Sequence, residues 1–307
     1  MNKHFKKFTE DFKSLNSDNP ELIKNTLANI FTMRIIGNKT HGDLAEIGIT
    51  EFINLYMDGY TCEHVGKERY RAKEHEEDIE ITNKKGNVID VSLKAYGKGP
   101  LQLSTDKESQ MHKLMETKSN DITDRKEIEA IFKSEAFKAF ESINVLALIY
   151  EEEFEKKYSE ELGKEIKLTT GGKCSVLQFD YDKVMTETAR IVRVDKGESL
   201  DEDGIVVKKG ARKYPIYVFL NKDNKYICEV RYGGPDANAL QRGFWTHTKN
   251  ADAYFVKLTA KPIPYKINNG LVDIIGLLLN SDTKFQNDIR ARLKAYIKEL
   301  DKQNGKK

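Results

Sequence analysis

Asp78, Glu80, Asp90, Ser92 and Lys94 occupy alternate positions of two short runs, Asp78 to Thr82 and Val88 to Lys94, separated by Asn83-Lys84-Lys85-Gly86-Asn87. Successive side chains of a strand point to opposite faces. These five therefore share one face of a hairpin, and Ile79, Ile81, Ile89, Val91, Leu93 and Ala95 form an apolar floor on the other. Carboxylates beside a lysine on rigid strands are what a divalent cation and a phosphodiester would need. Hydrolysing that ester requires neutralising a pentacoordinate dianion and activating a water, which Mg2+ held by two or three carboxylates can do. Lys94 would stabilise the developing charge or orient the water. A half-exposed hairpin whose polar face is merely solvated shows the same alternation.

The elements that must position these residues start upstream. Asn19-Pro20-Glu21 reads as N-cap, first helical residue and first-turn acid of a helix through Met33. A loop, Gly37 to Gly42, ends it, and Asp43 can cap a second helix, Leu44 to Met57. Apolar residues cover most of the circumference of that helix, which predicts a buried one. It nevertheless carries Glu46 and Glu51, and a buried carboxylate is costly unless paired, hydrogen-bonded or metal-bound. Asp58-Gly59-Tyr60 turns into a strand, Tyr60 to Val65, and the charged segment Lys67 to Glu77 leads into the hairpin. After it come a turn at Gly97 to Pro100, a strand Leu101 to Thr105 and a helix Asp106 to Glu116.

A long charge-rich helix is predicted over Asp124 to Leu162, with Ile131, Phe132, Phe137, Ala139, Phe140, Ile143, Leu146 and Leu148 as its apolar stripe. Past Thr169 strands dominate: Thr188 to Val194, Gly204 to Lys208, Tyr214 to Leu220 and Lys225 to Tyr232, the last two joined by a hairpin turn at Asn221 to Asn224. Helices at Leu271 to Leu279 and Asp282 to Leu300 close the chain. The expected class is α/β of the mixed α+β kind, a central mixed sheet flanked by helices with a β-rich C-terminal half. Residues 1–165 would form the first part and 166–307 the second, packed as one body.

The order of glutamate-bearing helix, strand, acidic hairpin with Ser92-Leu93-Lys94, then strand and helix resembles the PD-(D/E)XK nuclease superfamily, in particular type II restriction endonucleases, over residues 40 to 118. The resemblance implies a restriction-endonuclease-like core, Mg2+ as cofactor, and cutting of double-stranded DNA at a short specific sequence. Carried over by position, Asp78 is the first-strand acid and Lys94 the lysine. Gly42-Asp43-Leu44-Ala45-Glu46 looks like the glutamate helix, with Glu46 the first choice and Glu51 the second. Ser92 stands where the family usually has Asp or Glu, so the helix glutamate or Asp90 must supply the missing charge. The implied metal ligands are drawn from Asp78, Glu46, Glu51 and Asp90. Gln102, in Gly99-Pro100-Leu101-Gln102-Leu103-Ser104-Thr105, sits in a segment resembling those near the active site of such nucleases, where it could touch the scissile phosphate or a metal-bound water.

A second informative stretch is Arg231 to Thr248, a Gly-rich turn followed by Asn238, Gln241, Arg242, the only Trp, Trp245, and His247. Asn and Gln can pair with adenine, Arg with guanine, and Gly allows close backbone approach. These residues, with His41 beside the glutamate helix, are candidate DNA contacts; equally, Phe244 and Trp245 could anchor the segment into the core. Glu229-Val230-Arg231 mimics the acid-x-base spacing, but Arg cannot give up a proton and no acidic helix precedes it.

Composition sets the outer limits. With 39% hydrophobic and 33% charged residues, no apolar run approaches the ~18 residues of a membrane span and no apolar stretch follows the N-terminal lysines, so a cytoplasmic chain is expected. Cys62, Cys174 and Cys228 are too far apart for a zinc motif or a disulfide framework. A net charge of +2, from 51 basic and 49 acidic residues, leaves any polyanion to be met by local patches. Gly171-Gly172-Lys173-Cys174-Ser175 lacks the spacing of a P-loop, and no G-x-S-x-G elbow occurs. A homodimer is the default for an enzyme cutting both strands of a palindrome. The alternatives are a nucleic-acid-binding protein without catalysis and a structure-selective or RNA-directed nuclease.

Overall fold

The computed structural model describes residues 3–34, 41–65, 77–106, 108–142, 144–160, 163–200, 206–208, 213–236 and 241–278. Three helices come first: α1 (Lys3–Asp18), α2 (Pro20–Arg34) and α3 (His41–Tyr56). Strands β1 (Tyr60–His64), β2 (Ile79–Asn83), β3 (Val88–Tyr96) and β4 (Pro100–Thr105) follow, then α4 (Gln110–Glu116), β5 (Asp121–Ile122), α5 (Arg125–Phe132) and α6 (Glu135–Ser142). The middle of the chain is a long hairpin, β6 (Asn144–Ser159) and β7 (Lys164–Phe179), leading to α7 (Tyr181–Glu187), β8 (Arg190–Val194), β9 (Glu198–Leu200) and β10 (Val206–Lys208). β11 (Ile216–Leu220), β12 (Tyr226–Arg231), β13 (Gly243–His247), α8 (Ala251–Tyr254), β14 (Phe255–Lys257), β15 (Ile263–Lys266) and α9 (Asn269–Leu278) complete it.

The fold is mixed α/β with a β-rich C-terminal half. Among the described residues one sheet runs β1-β2-β3-β6-β7-β14, with β15 also on β7, and a second runs β4-β13-β12-β11-β8-β5. The first sheet is mixed, because β3 pairs parallel with β6 while its other ladders are antiparallel. All ladders of the second are antiparallel. The 165/166 boundary falls inside β7, so the two halves of the chain share a sheet.

Helices α1 to α3 cover one face of the first sheet. Phe5, Phe8 and Phe12 of α1, Ile23 and Leu27 of α2, and Ile49, Phe52 and Ile53 of α3 pack on Ile79, Ile81, Ile89, Val91 and Leu93, the apolar floor expected from the alternation. On the opposite face Val145, Ala147, Leu177 and Phe179 meet α4 to α6 and the second sheet, including Phe219 and Phe244. The sheet is thus buried on both sides, and each fully buried Ile or Phe contributes about 1.5–3 kcal/mol relative to exposure.

Three expectations are corrected. The long helix over Asp124 to Leu162 is replaced by α5, α6 and the sixteen-residue strand β6. Glu- and Lys-rich composition favours helix locally, but rungs to β3 and β7 along the whole of β6 override that weak preference. Helix α3 begins at His41 and is amphipathic where a buried helix was expected: Ala45, Ile49, Phe52 and Ile53 are buried, while Leu55 is 67% exposed. Asp43 therefore lies in its first turn and is not its cap. Helix α1 had no counterpart in the sequence reading, although phenylalanines at positions 5, 8 and 12 already show helical spacing. The segment Lys67 to Glu76, residues 37–40 of the first loop and the helix Asp282 to Leu300 lie outside the described residues.

Candidate functional site

The site forms where β2 and β3 part company. Their last rung is Ile79 with Val91, whereas β3 continues alongside β6 to Tyr96 with Ile149. Past Val91 the edge of β3 that faced β2 would expose the Leu93 N–H, and a buried amide without an acceptor is costly. Asp78, the residue before β2, satisfies it: Leu93 N donates to Asp78 Oδ2 at 2.6 Å. The same oxygen accepts from Ser92 Oγ at 3.0 Å and lies 3.5 Å from Lys94 Nζ. Backbone bonds hold Asp78 on both sides, its carbonyl accepting from Val65 N and its own N–H donating to Val91 O.

Helix α3 brings the second carboxylate. Glu46 Oε2 is 2.8 Å from His64 Nε2, whose ring comes from the face of β1 that also carries buried Cys62. Burial pushes the Glu46 carboxyl above its ordinary range, the His64 hydrogen bond pulls it down, and the negative charge of Asp78 pushes it up. His64 stands opposite Ile79 on the β1–β2 ladder, which puts the Glu46–His64 pair at the Asp78 end of the hairpin. With the Glu46 and Asp78 side chains 17% and 24% exposed, and Lys94 at 21%, these charges are reachable from solvent without being fully hydrated. No family model matches the sequence, and no curated protein and no solved structure matches it either.

Of the residues singled out by type and spacing, the fold brings Glu46, Asp78, Ser92 and Lys94 to one end of the β2–β3 hairpin. Ser92 is buried, with its hydroxyl on Asp78, so this part of the polar face is not wet. Asp90 is exposed and stands opposite Glu80 on the hairpin. Glu51, taken for a buried carboxylate, is exposed; it follows Glu46 by five residues, which turns it about 140° around the helix. Gln102 is buried on the second sheet, where its amide Nε2 donates to the Arg242 carbonyl at 2.9 Å.

The second stretch is built into the second sheet as β13, with Phe244 in the core. Gln241 is exposed, Arg242 Nη2 donates to the Gly234 and Pro235 carbonyls, and His247 Nδ1 accepts from Lys249 N. Asn238 lies outside the described residues, as does the side chain of His41, whose backbone opens α3. In the rival Glu229-x-Arg231 motif, Arg231 donates directly to Glu229 and its guanidinium lies 4.5 Å from the Trp245 ring centroid. That pair is closed on itself.

His64 is the functional candidate missing from the sequence reading. Its only signal was parity: on a strand from Tyr60, position 64 shares a face with Cys62, and pairing with a glutamate on the preceding helix requires the fold. Among the described residues no group of three or more His, Cys, Asp and Glu side chains is placed to hold a metal ion. A hydrated Mg2+ keeps several waters and takes only one or two carboxylates plus substrate phosphate, so it asks for fewer protein ligands than such a group supplies.

Proposed function

We propose that the protein is a Mg2+-dependent endonuclease that hydrolyses double-stranded DNA at a short specific sequence, in the manner of a type II restriction enzyme acting in the cytoplasm. The observation that carries this reading is the clamp at the end of the hairpin: one acid, Asp78, fixed by the Leu93 amide and Ser92 hydroxyl, beside Lys94, with Glu46 held by His64 on the adjoining end of β1. Asp78 and Glu46 would hold the cation, which supplies positive charge at the scissile phosphate and a more acidic water. Lys94 would stabilise charge developing on the phosphoryl oxygens. His64 would orient Glu46, and its hydrogen bond favours the ionised carboxylate against the burial that disfavours it. Ser92 gives the site one carboxylate fewer than the family pattern, and Glu46 makes up the charge.

The test is incubation of supercoiled and phage DNA with the purified protein and Mg2+, beside Asp78→Asn and Lys94→Ala. Discrete fragments from the native chain, lost or slowed by about 10²–10³-fold in the variants, are expected. Intact DNA across varied substrates and divalent metals would remove the nuclease reading. It would leave the second one, a nucleic-acid-binding protein in which the same cluster is structural, which the three donors converging on one Asp78 oxygen favour.

A further inference from the structure

The β6–β7 hairpin outruns the sheet that contains it. The β3 ladder stops at Ile149 and the β15 ladder at Gly171, yet β6 and β7 remain paired to Ser159 with Lys164. Among the described residues no further strand pairs with either one there. The part free of both neighbours runs from Phe154 with Thr169 to Ser159 with Lys164, about 20 Å at ~3.3 Å per residue. A lone two-stranded ribbon is marginal in water. This one also shows solvent two aromatic rings, Phe154 at 44% and Tyr158 at 69% exposure, with the Lys167 ammonium 3.1 Å from the Phe154 ring centroid.

The charges of the outgoing strand are ordered. Glu151, Glu152, Glu153 and Glu155 fill its first half, and Lys156 and Lys157 follow before Tyr158; within one copy Glu152 pairs with Arg34, Lys156 with Glu165 and Lys157 with Glu155, so a second copy would share or exchange these pairs. Charge on an edge strand ordinarily prevents pairing with another chain. Here its order does the opposite for an antiparallel copy, because reversing the direction lays the acidic half of one strand along the lysines of the other. Two-fold symmetry creates both attractive contacts at once, as an isologous interface requires.

We propose that the ribbon is an arm that associates with the same ribbon of a second copy of this chain, antiparallel, with Phe154 and Tyr158 covered at the contact. The contact is independent of the nuclease reading: mass reports on the arm and DNA cleavage on the site. The experiment is analytical ultracentrifugation of the full chain and of two charge-reversed variants, with circular dichroism confirming that each folds. Glu151→Lys/Glu153→Lys/Glu155→Lys makes the strand predominantly basic, and Lys156→Glu/Lys157→Glu makes it wholly acidic. The native chain should be a dimer. Each variant alone should lose self-association by on the order of 100-fold, since like charges across an interface cost several kcal/mol and each 1.4 kcal/mol is tenfold. An equimolar mixture of the two should regain a dimer containing one of each. A monomeric native chain at tens of micromolar, homodimers that persist in both variants, or a mixture that stays monomeric would each overturn the proposal. Should a variant fail to fold, Phe154→Ser/Tyr158→Ser carries the test, and undiminished dimerisation there overturns it as well.

Discussion

Two hairpins of this protein carry an acid and a base at short spacing on adjacent strands or on one strand, and the fold closes one into a direct ion pair while it leaves the other partly open. At Glu229-x-Arg231 the strands continue on both sides into β11 and β13, the Glu229 side chain is 7% exposed, and Arg231 bonds to it while stacking on Trp245. At Asp78 and Lys94 the strands diverge, the ammonium stands 3.5 Å from the carboxylate, and Glu46 of α3 pairs with His64 on the adjoining strand. The comparison teaches that motif spacing is not what makes a site. Reactivity needs charges that the fold has left incompletely neutralised and reachable, which happens where a ladder ends. It does not happen in the middle of a sheet.

The largest contrast should appear in catalysis. Lys94→Ala is expected to slow DNA cleavage by about 10²–10³-fold, whereas Arg231→Ala should leave the rate per folded molecule within about twofold, because the Arg231 charge is spent on Glu229. Equal losses in the two would erase the distinction drawn between the hairpins.

Stability should separate them too. Asp78→Ala leaves the buried Leu93 amide and Ser92 hydroxyl without their acceptor and should cost about 1–3 kcal/mol, whereas Glu229→Ala leaves the 35%-exposed Arg231 to solvent and should cost about 1 kcal/mol. Urea unfolding of the two variants compares them directly; a larger cost at Glu229 would overturn that order.

The smallest effect is in titration. A carboxyl with a raised native pKa holds its proton more tightly when folded, so the fold loses stability as pH climbs from the ordinary carboxylate range through the raised value. Glu46→Gln should abolish that loss. In the native chain, His64→Ala should move the Glu46 titration further up, because a stabilising hydrogen bond to the carboxylate is gone, and Asp78→Asn should move it down by removing a repelling charge. Following the Glu46 carboxyl carbon by NMR reads both; shifts of the same sign would show that the three groups do not share a site.

Much of the first sheet was legible from alternation alone. Ile79, Ile81, Ile89, Val91 and Leu93 could face only one way once the turn at Asn83 to Asn87 was recognised, and all five are buried on that face. Helix α2 was equally legible from Pro20 and Glu21 at its start. β6 was not, because a Glu- and Lys-rich strand looks like a helix until its partners are known. The same limit applies to Glu46 and Glu51, which residue type alone could not separate: their fates depend on which side of α3 meets the sheet.

What the sequence determined by itself is therefore the local pattern: which residues alternate, where turns fall, and that Asp78, Ser92 and Lys94 sit on one side of a hairpin. Those properties follow from backbone periodicity, which a few neighbouring residues suffice to impose. The tertiary structure alone decided that β2 and β3 diverge at Asp78, that Glu46 of α3 meets His64 of β1, and that the Gln102 amide bonds to the Arg242 carbonyl. These are contacts between segments distant in sequence, and they are set by how whole elements pack.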